Sequence, residues 1–162
     1  MSSLVPRADE SEEGRWGYLL CRVGASRVAL PVVHIVETMR PMAIEPVPHV
    51  PSFVLGVAIV RGAPVPVVDA GLLMGTAQVA SGRWVTLRVA DRSVALAVEG
   101  VQGVQDLSRA DFDALPPLFA GAAADAVAVL GTLDAQLLVI LQMSRLLPES
   151  AWQTFASQGG LR

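Results

Sequence analysis

The stretch "LLCRVGASRVALPVVHIVE", Leu19 to Glu37, returns 66 residues later as "VTLRVADRSVALAVEGVQG", Val85 to Gly103, without a gap. Arg22 and Val23 recur as Arg88 and Val89, and Val28-Ala29-Leu30 recurs as Val94-Ala95-Leu96. Each copy is an apolar run, a short break of small or polar residues, and a second apolar run rich in β-branched valine. That pattern reads as a β-hairpin. A hairpin that occurs twice predicts two similar β-units in tandem rather than one long sheet.

A looser recurrence supports this. "VRGAPVPVVDAGLL", from Val60, is echoed by "TLDAQLLVILQMSRLL", from Thr132, as strand, turn, apolar strand and a Leu-Leu element. In the first unit the spacing predicts strands over Gly17–Val23, Arg27–Pro31 and Val33–Met39, and a hairpin in which "FVLGVAIV" turns at "RGA" into "PVPVVD". Pro64 and Pro66 lack N–H donors and sit two apart, so they fit the unbonded side of an edge strand. The expected fold class is therefore mainly β, with two tandem units of about five strands, each closing into a small barrel that hides its edges.

The remaining segments set the boundaries. Residues 1–14 are polar and acidic and read as a mobile arm; residues 15–150 read as the folded domain, with units over about 30–82 and about 83–140 plus the N-terminal strands. "TAQVASG", Thr76 to Gly82, is small and polar, which suits a connection. In "LSRADFDALPPLFAGAAAD", Ser108 can cap a short helix with Asp111 in its first turn before Pro116 and Pro117 stop it. "QMSRLLPESAWQTFASQ" reads as a helix broken at Pro148, with Met143, Leu146 and Leu147 able to dock on a barrel, followed by a tail over 151–162.

Composition narrows function. The chain of 162 residues is 52% hydrophobic and 17% charged, which is the balance of a packed globular protein. Its net charge of -3 supplies no basic footprint, so nucleic acid is not an expected partner. One cysteine, Cys21, excludes an internal disulfide and a cysteine zinc site. No signal-type N-terminus and no uninterrupted transmembrane-length apolar run is present, so the expected location is cytoplasmic, without membrane insertion. The chain has neither lysine nor asparagine, which rules out a P-loop lysine or a Schiff base.

A search for catalytic groups returns little. His34 and His49 lack metal-ligand spacing, and packing or surface roles account for both. Cys21 alternates onto a core face with no local base, and no serine sits in a nucleophile elbow. Asp111 and Asp113 are explained by helix capping more simply than by acid-base chemistry. The expectation is no enzyme, no catalytic residue, no cofactor and no metal.

Two charges stand out among the apolar strands. Arg61 needs a partner or water, and Glu37, at the end of the third segment, is the obvious candidate for an ion pair that fixes the geometry of the first unit. Asp69 is placed to cap the short "AGLLMG" element.

These residues also carry a family resemblance. "FVLGVAIVRGAPVPVVD" resembles the signature of the CheW family of chemotaxis coupling proteins, with Gly56, Arg61, Gly62, Pro66, Val67 and Asp69 on its pattern. "VALPVVHIVE" and "VALAVEGVQGV" are similar to two further family segments, so the resemblance spans Trp16 to Leu147. It implies two five-stranded SH3-like β-barrels around a shared apolar core and a non-catalytic adaptor that links the cytoplasmic tips of chemoreceptors to the regulatory domain of a CheA-type histidine kinase. It further implies recruitment to membrane-associated receptor arrays. On this basis Glu37, Gly56, Ile59 and Arg61 are candidate partner-binding residues, and Gly62, Pro66 and Asp69 are structural motif residues. Ile59 stands where the family usually has asparagine, and Ala70 where it usually has leucine, so altered receptor binding is expected while the fold persists. Two other readings are a divergent adaptor serving another motility or polarity protein and, with least support, an enzyme or small-ligand sensor on a β-barrel.

Overall fold

The computed structural model describes residues 15–80, 82–108, 112–113, 127–133, 136–141 and 147–157. Both copies of the repeated hairpin form. In the first, β1 (Arg15–Val23) pairs antiparallel with β2 (Ser26–Pro31) in the register Leu19 to Leu30 and Cys21 to Val28. In the second, β6 (Arg83–Val89) pairs with β7 (Arg92–Val98) in the register Val85 to Leu96 and Leu87 to Val94. A 3-10 turn (Val32–His34) leads from the first hairpin into β3 (Ile35–Met39). β4 (Val54–Val60) and β5 (Ala63–Asp69) form the next hairpin, which ends in the four-residue helix α1 (Ala70–Leu73). After β7 come β8 (Gly100–Ser108), β9 (Phe112–Asp113), β10 (Val127–Leu133), β11 (Gln136–Leu141) and the C-terminal helix α2 (Glu149–Ser157).

The strands make two sheets, ordered β3-β6-β7-β5-β4 and β8-β1-β2-β11-β10-β9. Replacing β3, β6, β7, β5 and β4 by β8, β1, β2, β11 and β10 turns the first order into that of the first five strands of the second, to which β9 is added at the β10 edge, so the repeat is one of architecture as well as sequence. The parallel contacts match too: β5 runs parallel to β7, and β11 runs parallel to β2. Each repeated hairpin therefore completes the sheet built by the other half's later strands. β6 and β7, which a division near residue 82 groups with the second unit, hydrogen-bond into the sheet of β3, β4 and β5. The chain starts in the six-stranded sheet, builds the five-stranded one without interruption from Ile35 to Val98, and returns at β8.

Three expectations need correction. Among the described residues β3 and β4, the two ends of the five-stranded order, do not hydrogen-bond as strands, so that sheet curls without closing its ladder. β5 is not an edge strand: it lies between β4 and β7. Pro64 and Pro66 are tolerated because β7 pairs only with Val67 to Asp69, leaving the first half of β5 bonded to β4 alone. Ser108 ends a strand rather than capping a helix, and Phe112 and Asp113 pair with Gly131 and Leu130, because β10 offers their backbone groups ladder partners. The rest of that helix expectation, and the arm over 1–14, lie outside the described residues.

The core explains why the two hairpins keep continuous apolar runs. Val28, Ala29 and Leu30 are all fully buried, as are Ala95, Leu96, Ala97 and Val98, so both faces of β2 and β7 are covered. Helix α2 starts directly after Pro148, whose carbonyl accepts from the N–H groups of Ala151 and Trp152, so the proline stands at the N-terminus of this helix; the part of the expected helix over 142–146 lies outside the described residues. Met143 and Leu146 lie outside the described residues. Leu147, Ala151 and Phe155, four apart, present one apolar face to the shared core. At the rim, Arg92 donates to both carboxylate oxygens of Glu149 at 3.0 Å and lies 4.8 Å from the centre of the Trp152 ring. Arg92→Ala is expected to keep the fold and shift the melting temperature only slightly, while amide hydrogen exchange over 149–157 speeds up. Unchanged exchange there would show that the apolar face alone seats the helix.

Candidate partner-binding site

The β4–β5 hairpin turns in two residues, Arg61 and Gly62, between the paired Val60 and Ala63. Their φ angles are +52° and +83°, the left-handed pair that matches a tight turn to the twist of its strands. Gly62 is suited to this backbone, whereas Arg61 adopts it against the preference of an L side chain. The turn presents the arginine at the end of β4, with 77% of its side chain exposed.

Glu37 reaches it from β3. Arg61 Nε donates to Glu37 Oε2 and Arg61 Nη2 to Glu37 Oε1, both at 2.7 Å, a bidentate fork with charge-assisted geometry. The Arg61 hydrogen bonds, and secondarily its charge, hold the Glu37 carboxyl below its ordinary range, and Glu37 raises Arg61 in turn. Because β3 and β4 are opposite ends of the sheet order, the fork joins the two edges of the curled sheet where backbone pairing does not.

The surroundings are apolar and outward-facing. Val36 and Ile59 are each 58% exposed, and Val32, Val33 and Met42 are exposed as well. Val32, Val33, Val36, Met42 and Ile59 lie on β3, on β4, or on the segments flanking β3, and Val104 lies apart from them on β8. An ion pair set beside exposed aliphatic groups is suited to a protein surface with a matching apolar and charged face.

Gly56 contributes through its backbone. At φ +146° it lets residues 44 and 45 approach, so that Glu45 and Val57 exchange two hydrogen bonds of 2.8 Å; a Cβ here would meet the Glu45 carbonyl oxygen at 2.2 Å. Gly56→Ala is expected to cost about 2 kcal/mol or more, read by urea denaturation, because the clash is with backbone and the conformation is strained for alanine. A loss below about 0.5 kcal/mol would mean that the 44–45 segment yields freely.

Asp69 is wholly buried. Its Oδ2 accepts from Leu72 N–H at 2.8 Å as the N-cap of α1, and its carboxylate also receives Val79 N–H at 3.2 Å. Gly71 allows the following loop to fold back, since a Cβ there would lie 2.1 Å from the Ala77 carbonyl oxygen. Pro66 pairs opposite Val57, and Ala70 is fully buried behind the cap. Asp69 thus caps α1 and ties down the loop that follows it, and takes no part in the Arg61–Glu37 fork.

Burial pushes the Cys21 thiol up to about 12, far from a reactive thiolate. Among the described residues no group of three or more His, Cys, Asp and Glu side chains comes together to hold a metal ion. No helix among them is long and apolar enough to cross a membrane.

The CheW-like domain family matches residues 17–151. The chain belongs to this family. Among solved structures it is similar to the scaffolding protein TtCheW from Thermoanaerobacter tengcongensis, with a TM-score of 0.66 at 18% sequence identity, covering 78% of this chain and 88% of that one. That likeness establishes the CheW fold for the two sheets. No curated protein sequence matches the chain.

Two residues at or beneath this surface, Val36 and Thr86, are not singled out by the sequence as site residues. Val36 looks like any apolar strand residue until the strand is seen to turn it outward. Thr86 is a single hydroxyl inside the buried run "WVTL", Trp84 to Leu87, and that polar interruption was the available signal.

Proposed function

We propose that this CheW-like protein is a non-catalytic coupling adaptor that links the cytoplasmic tips of chemoreceptors to the regulatory domain of a CheA-type histidine kinase. The observation that carries the reading is the Arg61–Glu37 fork set among exposed Val36 and Ile59, on a chain of the CheW-like family. A fork whose arginine is largely in solvent contributes little to stability, so its geometry makes better sense as part of a recognition surface. Glu37, Ile59 and Arg61 would meet a partner directly, and Gly56 would hold the strand that presents Ile59. Such an adaptor works in the cytoplasm, gathered to receptor arrays at the membrane by its partners.

Calorimetric titration against each partner tests the proposal. Binding to both supports it; a folded protein that binds neither defeats it. Arg61→Glu is expected to weaken binding at least tenfold, and the exchange Arg61→Glu with Glu37→Arg to recover part of the loss. The coupling between the two positions should be present near neutral pH. It should fade as pH falls through the lowered Glu37 value, since a carboxylate with a depressed folded pKa gives its stabilisation above its ordinary range and loses it on protonation.

The outward-facing Ile59 favours a second reading, an adaptor that has exchanged one of these partners for another motility or polarity protein. Ile59→Asn separates the two: recovered or improved receptor binding supports altered coupling, and no effect on either partner supports a different target.

A further inference from the structure

β3 leaves regular pairing at one point. Ile35 lies opposite Leu87 and Glu37 opposite Thr86, two residues on β3 against one step on β6, so the strand bulges at Val36. A bulge re-aims the side chains around it and leaves backbone groups in need of other partners. Here the partner is a side chain. Thr86 Oγ1 accepts from Glu37 N–H at 3.2 Å and donates to the Glu37 carbonyl oxygen at 3.1 Å.

Thr86 is buried between Val85 and Leu87, which are also buried, and a hydroxyl in such surroundings is costly unless it is bonded on both counts. Both its bonds go to the residue whose carboxylate meets Arg61. The same bulge turns Val36 outward beside it.

We propose that Thr86 is a positioning residue: its buried hydroxyl holds the bulge that aims Glu37 at Arg61 and exposes Val36, and so shapes the docking surface without touching the partner. The inference rests on the partner-binding reading above for its functional consequence, but not for its structural content.

Two substitutions separate positioning from packing. Thr86→Val keeps the volume and removes the hydroxyl; Thr86→Ser keeps the hydroxyl and removes a methyl group. The first readout needs no partner: the Glu37 carboxyl is titrated by NMR in the folded protein. Thr86→Val is expected to move the Glu37 titration back toward the ordinary carboxylate range, with Thr86→Ser close to the parent protein. The second readout is calorimetric binding to the receptor tip and the kinase regulatory domain, where Thr86→Val is expected to bind about tenfold more weakly and Thr86→Ser within about twofold. If Thr86→Val leaves the Glu37 titration unchanged, or Thr86→Ser perturbs it more than Thr86→Val does, the proposal is overturned in favour of simple packing. A shifted titration with unaltered binding would uphold the positioning of Glu37 but refute its role in docking, and with it the partner reading of this surface. Should Thr86→Val not fold, Thr86→Ala removes the hydroxyl at the cost of a small void and is read in the same way.

Discussion

Asp69→Ala is expected to lower the unfolding free energy by about 2–3 kcal/mol, with a fall in melting temperature of about 5–10 °C. The carboxylate at the β5 terminus serves both neighbours: it caps Leu72 N–H at the start of α1 and receives the buried Val79 N–H from the loop that follows. Alanine strands both donors. The pH dependence has a definite sign. Burial raises the Asp69 pKa above 3.8 despite its backbone donors, so the folded state keeps the proton to higher pH than the unfolded chain. Stability contributed by this group is then full below the unfolded value and is lost as pH rises through the folded one. Asp69→Asn keeps an acceptor for Leu72 and should destabilise less, while abolishing that slope. Urea denaturation across acid to neutral pH checks both; an Asp69→Ala protein within about 0.5 kcal/mol of the parent would refute the capping account.

Phe155→Ala should cost about 3–5 kcal/mol. The ring is 1% exposed, belongs to the shared core with Leu147 and Ala151, and meets Trp152 edge to face at 6.1 Å. Truncation leaves a void that neighbouring strands cannot fill without moving. The partner measurement is hydrogen exchange: protection should fall over 149–157 and also in β7, where Arg92 holds the helix rim. A loss under about 1 kcal/mol would make α2 an appendage rather than a core element. The contrast with Arg92→Ala is instructive, since the rim contact orients the helix and the buried ring provides most of the attachment.

Much of the fold is legible in local pattern. The 66-residue repeat marks both hairpins correctly because valine-rich alternation and small-residue turns are local signals. The Arg61–Glu37 pair could be anticipated because a charge amid apolar strands demands a partner, and Glu37 is the nearby candidate. Asp69 as a cap follows from its place before "AGLL". What pattern does not reveal is which sheet a hairpin joins. β6 and β7 follow the linker yet pair with β3 and β5, a choice settled by long-range ladders rather than by any residue within the hairpin. The β3 bulge is hidden for the same reason: two residues against one is a property of two strands together, and only Thr86 hints at it. Pro64 and Pro66 misled in a similar way, since a strand can be an edge for half its length.

The route of the chain through its two sheets also bears on synthesis. Ile35 to Val98 can assemble as soon as it leaves the ribosome, whereas Ala29 must wait for Ile140 to pass before its parallel neighbour exists. At about 10 residues per second that delay is about 10 s. For most of it the N-terminal hairpin carries Cys21, Val28 and Leu30, all destined for full burial, with neither β8 nor β11 beside it, and β11 is still missing once β8 has emerged. The nascent protein thus passes through an obligatory stage in which its earliest strands are its least protected, and this makes the first hairpin, rather than the finished surface, the natural point of engagement for chaperones and of loss to aggregation.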